Sequence, residues 1–175
     1  DLGLDASDPQ ITDLTIESGG VLDVGERTLD ITGEFENQGT LRRAGVANSV
    51  DERVTATDTD SGTTIYDGAP TNNGIQDYGS VDYYNLELEN ATFQSDRNIG
   101  VNGNLTINSS AGLDAGTNND SITVAGDFSN QSTNFTAGPT VYIVDAGRVS
   151  TVTGDSTFNN LTIDEPGKVV EFTDG

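Results

Sequence analysis

Apolar residues along this chain come in short runs spaced two apart. Leu14-Thr15-Ile16, Leu86-Glu87-Leu88, Leu105-Thr106-Ile107, Ile122-Thr123-Val124 and Leu161-Thr162-Ile163 all follow this rule. Period two belongs to a strand with one buried face. Between the runs lie Asn, Asp, Ser, Thr and many of the 21 glycines, which is turn chemistry. No window carries a sustained 3.6-residue apolar stripe. The pattern predicts an all-β chain.

The runs also repeat. "LTIESGGVLDVGERTLDITGEFENQGT" (14–40) matches "LTINSSAGLDAGTNNDSITVAGDFSNQST" (105–133). Leu14 pairs with Leu105, Ile16 with Ile107, Leu22-Asp23 with Leu113-Asp114 and Gly25 with Gly116. After a two-residue insertion, Gly33 pairs with Gly126 and Phe35 with Phe128. An Asn-Leu-Thr-Ile unit occurs, in variants, at 13–16, 85–88, 104–107 and 160–163. Repeats of this size are units that bury an apolar face only by stacking. Leu86 to Leu105 is 19 residues, and Val101 to Val124 is 23. Three short strands with three turns need about that length. The prediction is a parallel β-helix, a solenoid of about seven or eight coils. A β-sandwich is the alternative, because strands with turns every 8–12 residues suit it too.

The series "NLTI…LDAG…ITVAGDF", followed by "TVYIVDAGRVSTVTGDSTFNNLTI", resembles the β-helical repeats of large secreted surface proteins and adhesins. The resemblance covers 11–41 and about 80–175. It implies a β-helix, an extracellular or cell-surface location and a structural or adhesive role, and it implies no activity. Positions 42–79 are longer-spaced and more polar. They are expected to be an irregular or inserted segment within one solenoid domain spanning 1–175.

Charge narrows the function classes. The chain has 29 acidic and 7 basic residues, with Lys168 the single lysine, and a formal net charge of −22. Such a charge repels phosphate backbones and anionic membranes, so no nucleic-acid partner is expected. Asp outnumbers Glu 20 to 9, a composition that resembles proteins of halophilic archaea, where salt screens repulsion within a few ångströms. Cysteine is absent, so no disulfide framework exists. No apolar run approaches a membrane span. A start at Asp1 rather than Met is expected of a processed product.

Candidate chemistry is sparse. With no His, no Cys and no basic cluster to clamp an anionic sugar, the chain is not expected to be an enzyme and no catalytic residue is assigned. Asp58 and Asp60, two apart before Gly62, have the opening spacing of a calcium loop, although the distal glutamate is missing. Asp114, Asn118 and Asp120 form a second acidic loop. Calcium is therefore the one candidate cofactor, and a solvated acidic surface is the plainer reading. Seven N-x-[ST] sequons occur. The repeat places Asn85 with Asn104 and Asn160, and Asn37 with Asn130, at positions that hold Asn with or without a sequon. Those asparagines are expected to be structural. Asn90, Asn108, Asn119 and Asn134 are the glycan candidates. Of Tyr83-Tyr84 only one side chain can point inward. Phe35, Phe128, Phe158 and Phe172 recur with the repeat and are expected in the core. Arg42-Arg43 is expected either to meet a neighbouring subunit or to balance local charge.

An open β-helix leaves a strand edge at each end. Ile11, Leu14 and Ile16 at one end, with Leu161, Ile163, Val169, Val170 and Phe172 at the other, continue the internal rhythm if one copy follows another. Head-to-tail contacts of that kind build a fibre. The expectation is a self-assembling subunit of an extracellular filament or matrix, its partners being copies of itself and N-linked glycans. An adhesin or stalk segment of a larger repeat protein, binding carbohydrate or a host surface, is the alternative. A polysaccharide-active β-helix enzyme is the third.

Overall fold

A coil of three short strands has no partner for its backbone or its apolar side chains except the coils above and below it. The computed structural model describes residues 10–45, 54–68, 73–95 and 97–174. Among them there is no helix, and every strand pairing is parallel. The chain is a β-solenoid. The sandwich alternative falls, because its sheets are antiparallel.

One sheet of eight strands runs the length of the stack, in the order Val21–Gly25, Thr40–Arg43, Thr63–Tyr66, Asn85–Leu88, Leu105–Ile107, Phe128–Asn130, Val149–Thr153 and Val169–Thr173. Each strand comes from the next coil, so the stack has eight coils. A second sheet joins Ile99–Val101, Ile122–Val124, Val141–Ile143 and Leu161–Ile163. A third joins Thr92–Gln94, Gly112–Asp114 and Phe135–Thr136. Near the start, Gln10–Ile11 pairs with Asp30–Ile31, and Leu14–Ile16 with Phe35–Asn37. Leu86 lies on Leu105, a step of 19 residues, and Val101 on Val124, a step of 23, as the spacing predicts.

Alternation puts up to two apolar columns per strand into the interior, as Leu105 and Ile107 show. Leu86, Leu105, Phe128 and Val152 form such a column, all buried. Phe128 meets Phe135 and Phe158 edge-on, with ring centroids 5.5 and 5.6 Å away, the arrangement that aromatic quadrupoles favour. Two apolar clusters result, one over the first coils around Ile16, Leu29 and Leu41, and a larger one from Tyr66 to Val152.

Corners are set by a relay of short polar side chains. The Asn104 backbone N–H donates to Asn85 Oδ1 at 2.9 Å, Asp127 N–H to Asn104 Oδ1 at 2.9 Å, and Thr151 N–H to Asp127 Oδ1 at 2.7 Å. Glu34 N–H and Asp13 Oδ1 repeat the contact in the first coils at 2.9 Å. Three of these four contacts pass beside a glycine, Gly33, Gly103 or Gly126. A Cβ on Gly126 would sit 2.3 Å from Asn104 Oδ1, and one on Gly103 2.4 Å from Asn85 Oδ1. Glycine is required there by close approach.

The Asn-Leu-Thr-Ile unit does not mark one face, contrary to the repeat alignment. Residues 85–88 and 105–107 are neighbours in the eight-stranded sheet, but Leu161–Ile163 belongs to the four-stranded sheet and Leu14–Ile16 to a two-stranded one. Asn160 donates its amide nitrogen to Pro139 O of the preceding coil, as Asn85 does to Gly62 O. Corner length varies along the stack as well. Three residues, 102–104 or 125–127, turn the chain between these sheets in the middle coils, whereas 144–148 and 164–168 use five. Within 42–79, Thr63–Tyr66 supplies a strand of the main sheet, and Val54 and Gly74 bridge to Leu29 and Gln94. Positions 46–53 and 69–72 lie outside the described residues.

Gly126→Ala should lower stability by about 1–3 kcal/mol, because the added methyl meets Asn104 and the Gly103 carbonyl with no room to yield. Urea unfolding checks this, and an unchanged midpoint would contradict the relay.

Candidate functional site

The end coils gather most of the candidate interface. At the C-terminal end, Leu161–Ile163 and Val169–Thr173 are the last strands of their sheets. Ile143 and Val152, one coil earlier, are 0% and 3% exposed, whereas Ile163 and Phe172 in the same columns are 42% and 65% exposed. Leu161 and Val170 are half-buried against the large cluster. Phe172 is thus not a core residue of the isolated chain, although its column is the core column. Val169 points outward, in register with Val149, which is exposed as well. Alternation explains this, since Val170 and Phe172 take the inward places.

The N-terminal end is different. Ile11 and Leu14 are half-buried against the smaller cluster, and Ile16 is buried. Among the described residues, Gln10–Ile11, Leu14–Ile16 and Val21–Gly25 have a paired strand on one side only.

Both arginines of the basic pair work within the chain. Arg42 faces out and links Asp67 at 3.3 Å to Glu89 at 2.7 Å. Arg43 points inward and is fully buried. Its guanidinium donates to Tyr78 Oη at 2.7 Å and Gln76 Oε1 at 2.5 Å, and lies 5.0 Å from the Tyr66 ring centre. Tyr66 and Tyr83 hydroxyls meet at 2.7 Å, and Tyr83 donates to Gln76 O. Tyr83 is the inward member of Tyr83-Tyr84. This polar knot sits where the two apolar clusters meet.

Two further groups escaped the sequence reading. Lys168 Nζ donates to Asp145 O, Arg148 O and Ser150 Oγ, capping carbonyls of the coil below. Desolvation holds its pKa below the usual lysine range despite nearby Asp145. Asp82 is buried and accepts backbone N–H bonds from Tyr78, Gly79 and Gly100 at 2.7, 3.1 and 2.7 Å. Burial pushes its carboxyl up to about 6, against the opposing pull of those N–H donors. The inward place of Arg43 was open to inference once Leu41 was set inward; nothing in sequence marked Asp82.

Of the calcium candidates, Asp58 and Asp114 accept hydrogen bonds from their own loops. Asp58 accepts from Asn37 N–H, Asp60 N–H and Ser61 Oγ. Burial would raise its pKa, and these donors hold it below the ordinary range, while Asp58 raises that of exposed Asp60. Asp114 caps Gly116 and Thr117, and Asn118 donates to Ser95 O. Among the described residues, no three acidic, His or Cys side chains converge as a metal site. Asn90, Asn119 and Asn134 are exposed, and Asn90 and Asn119 hold positive φ in tight turns. Asn108 is half-buried, its amide nitrogen donating to Glu87 at 2.7 Å. Asn37 and Asn130 are buried and make matching contacts, each Oδ1 accepting from the N–H two residues on. They are structural, as their shared place in the repeat implies.

Comparison with family models, curated proteins and solved structures found no match. No helix among the described residues is long and apolar enough to cross a membrane.

The raised Asp82 pKa has a definite sign. An unfolded aspartate titrates near 4, so the folded chain holds this proton more tightly. The stabilisation is complete below about pH 4 and is lost as pH rises through about 6. The stability of the native chain relative to Asp82→Asn should therefore fall over that window in denaturant titrations. A constant difference would contradict it.

Proposed function

We propose that this chain is a non-enzymatic structural unit of an extracellular or cell-surface filament or matrix, extended by coils added head to tail. The observation that carries the reading is the uncovered last coil, where Ile163 and Phe172 occupy columns that are buried one coil earlier. A side chain with the surface of Phe172 gains roughly 2 kcal/mol on burial, and the free strand edge gains backbone partners at the same time. Acidic outward faces keep such assemblies apart laterally, and a formal charge of −22 suits concentrated salt, where repulsion is screened. Glycans at exposed Asn90, Asn119 and Asn134 would add to that solvated exterior.

Negative-stain images of the intact chain in concentrated salt should show fibres about one solenoid wide. Ile163→Asp with Phe172→Asp should leave folded monomers, since both side chains are already exposed. Monomers of the unaltered chain at every concentration would overturn the proposal.

A polar cleft of about 540 Å³ beside the last coils, lined by Asn130, Ser132, Thr133, Asp155 and Thr173 among others, favours a second reading, a carbohydrate-binding stalk segment. Calorimetric titration with neutral and acidic oligosaccharides checks it. Heat of binding lost in Thr133→Trp would support this reading, and no heat with any sugar would remove it.

A further inference from the structure

Five large apolar side chains are exposed among the described residues: Val21, Val149, Ile163, Val169 and Phe172. All five lie in the first coil or the last two. The geometry points to a single junction that covers Ile163 and Phe172 and brings Val21, Val149 and Val169 into one outer row, in which the first coil of a second copy sits in phase on the last coil of the first. This rests on the filament reading and specifies its contact strand by strand.

The first and last coils are built alike. Leu14-Thr15-Ile16 and Leu161-Thr162-Ile163 are each followed by a tight turn and a five-residue strand. In the turns, Gly20 N–H donates to Glu17 O at 2.8 Å and Lys168 N–H to Glu165 O at 3.1 Å. Gly19 and Gly167 hold positive φ, at 79° and 87°, in the same third place of each turn, the place where such turns demand glycine. Counting from those glycines, Val21 corresponds to Val169, Leu22 to Val170, Asp23 to Glu171 and Val24 to Phe172. The inward and outward sides agree throughout. Leu22 and Val24 face in, as Val170 and Phe172 do, while Val21 and Val169 face out at 64% and 50% exposure. The two five-residue strands are also the opposite edges of the one eight-stranded sheet.

In the junction Leu14 lies on Leu161, Ile16 on Ile163, Leu22 on Val170 and Val24 on Phe172. The eight-stranded sheet continues unbroken into the next copy. Outside, Val21 extends the row begun by Val149 and Val169. Counted from the turn glycines, Asp23 falls on Glu171 and Glu17 on Glu165, two acidic pairs one strand spacing apart, about 4.8 Å; the last corner, 164–168, is one residue longer than 17–20, so Asp164 is left without a counterpart between the two registers. Like charges directly opposite on neighbouring strands oppose pairing. The second copy therefore docks when salt screens those pairs, and low ionic strength keeps the copies apart.

The test uses the full chain, which has no native cysteine, with Val21→Cys and Val169→Cys introduced together. Both sites are exposed, so folding is not at stake. Within one molecule they are separated by seven strand spacings, about 34 Å, beyond any disulfide, whereas across the junction they fall within reach of one. Oxidation in concentrated salt should give a ladder of covalent multimers, and each single-cysteine variant should stop at dimers. Glu171→Gln should lower the salt concentration at which light scattering rises by at least about twofold, through loss of one unscreened pair. Fibres that form without the ladder, or whose salt threshold ignores Glu171→Gln, would overturn this register and leave the filament reading intact. No association in any salt would overturn both.

Discussion

Parallel stacking of coils is the constraint from which the rest of the molecule follows. A strand of three to five residues cannot satisfy its own N–H and C=O groups, and its two or three apolar side chains cannot form a core alone. Each coil is completed by its neighbours on both sides. Interior coils meet this condition fully: Leu105, Ile107, Leu113, Ile122 and Val124 are all buried to the last few per cent. Their burial reflects two neighbours, not an unusually apolar sequence, since only 33% of the chain is hydrophobic. The last coil has one neighbour, and its apolar columns stand open accordingly.

Stacking also dictates the corners. Coils one strand spacing apart leave no room for bulky turns, so glycine recurs beside short Asx side chains that reach one coil onward. The Asn85–Asn104–Asp127–Thr151 relay binds backbone to side chain across four coils. Buried Asn37 and Asn130 perform a related task at another corner, closing their own turns and reaching the following coil at Thr63 and Asp155. The polar knot of Arg43, Gln76 and three tyrosines fills the interior between the two apolar clusters, with cation–π contact and hydrogen bonds in place of a counter-charge.

Fold class and local register were legible because both are short-range. Period-two alternation and a step of about twenty residues give Leu86 on Leu105 and Val101 on Val124 without any knowledge of distant contacts. Comparing the two copies separated structural asparagines from free ones at Asn37 and Asn130. Sheet membership was not legible, because Leu14–Ile16 and Leu161–Ile163 read the same as Leu105–Ile107 and yet belong to other sheets. Which member of the Val169-Val170 run faces in was not legible either; Val170 takes the inward place and Val169 the outer face. The acid-rich loops at Asp58 and Asp114 have cation-like spacing in sequence, yet their oxygens are turned onto their own backbone. Asp82 carries no local signature at all; its burial depends on the coil at Gly100.

Hydrogen exchange at the last strand tests the central claim most directly. The amides of Val169–Thr173 that point away from Val149–Thr153 should exchange rapidly in dilute, low-salt solution and become protected when the chain is concentrated in salt, while Phe128–Asn130 stays protected throughout. Those same edge amides exchanging rapidly in both conditions, or already protected in the dilute monomer, would contradict a coil stack that is open at its end and completed by another coil.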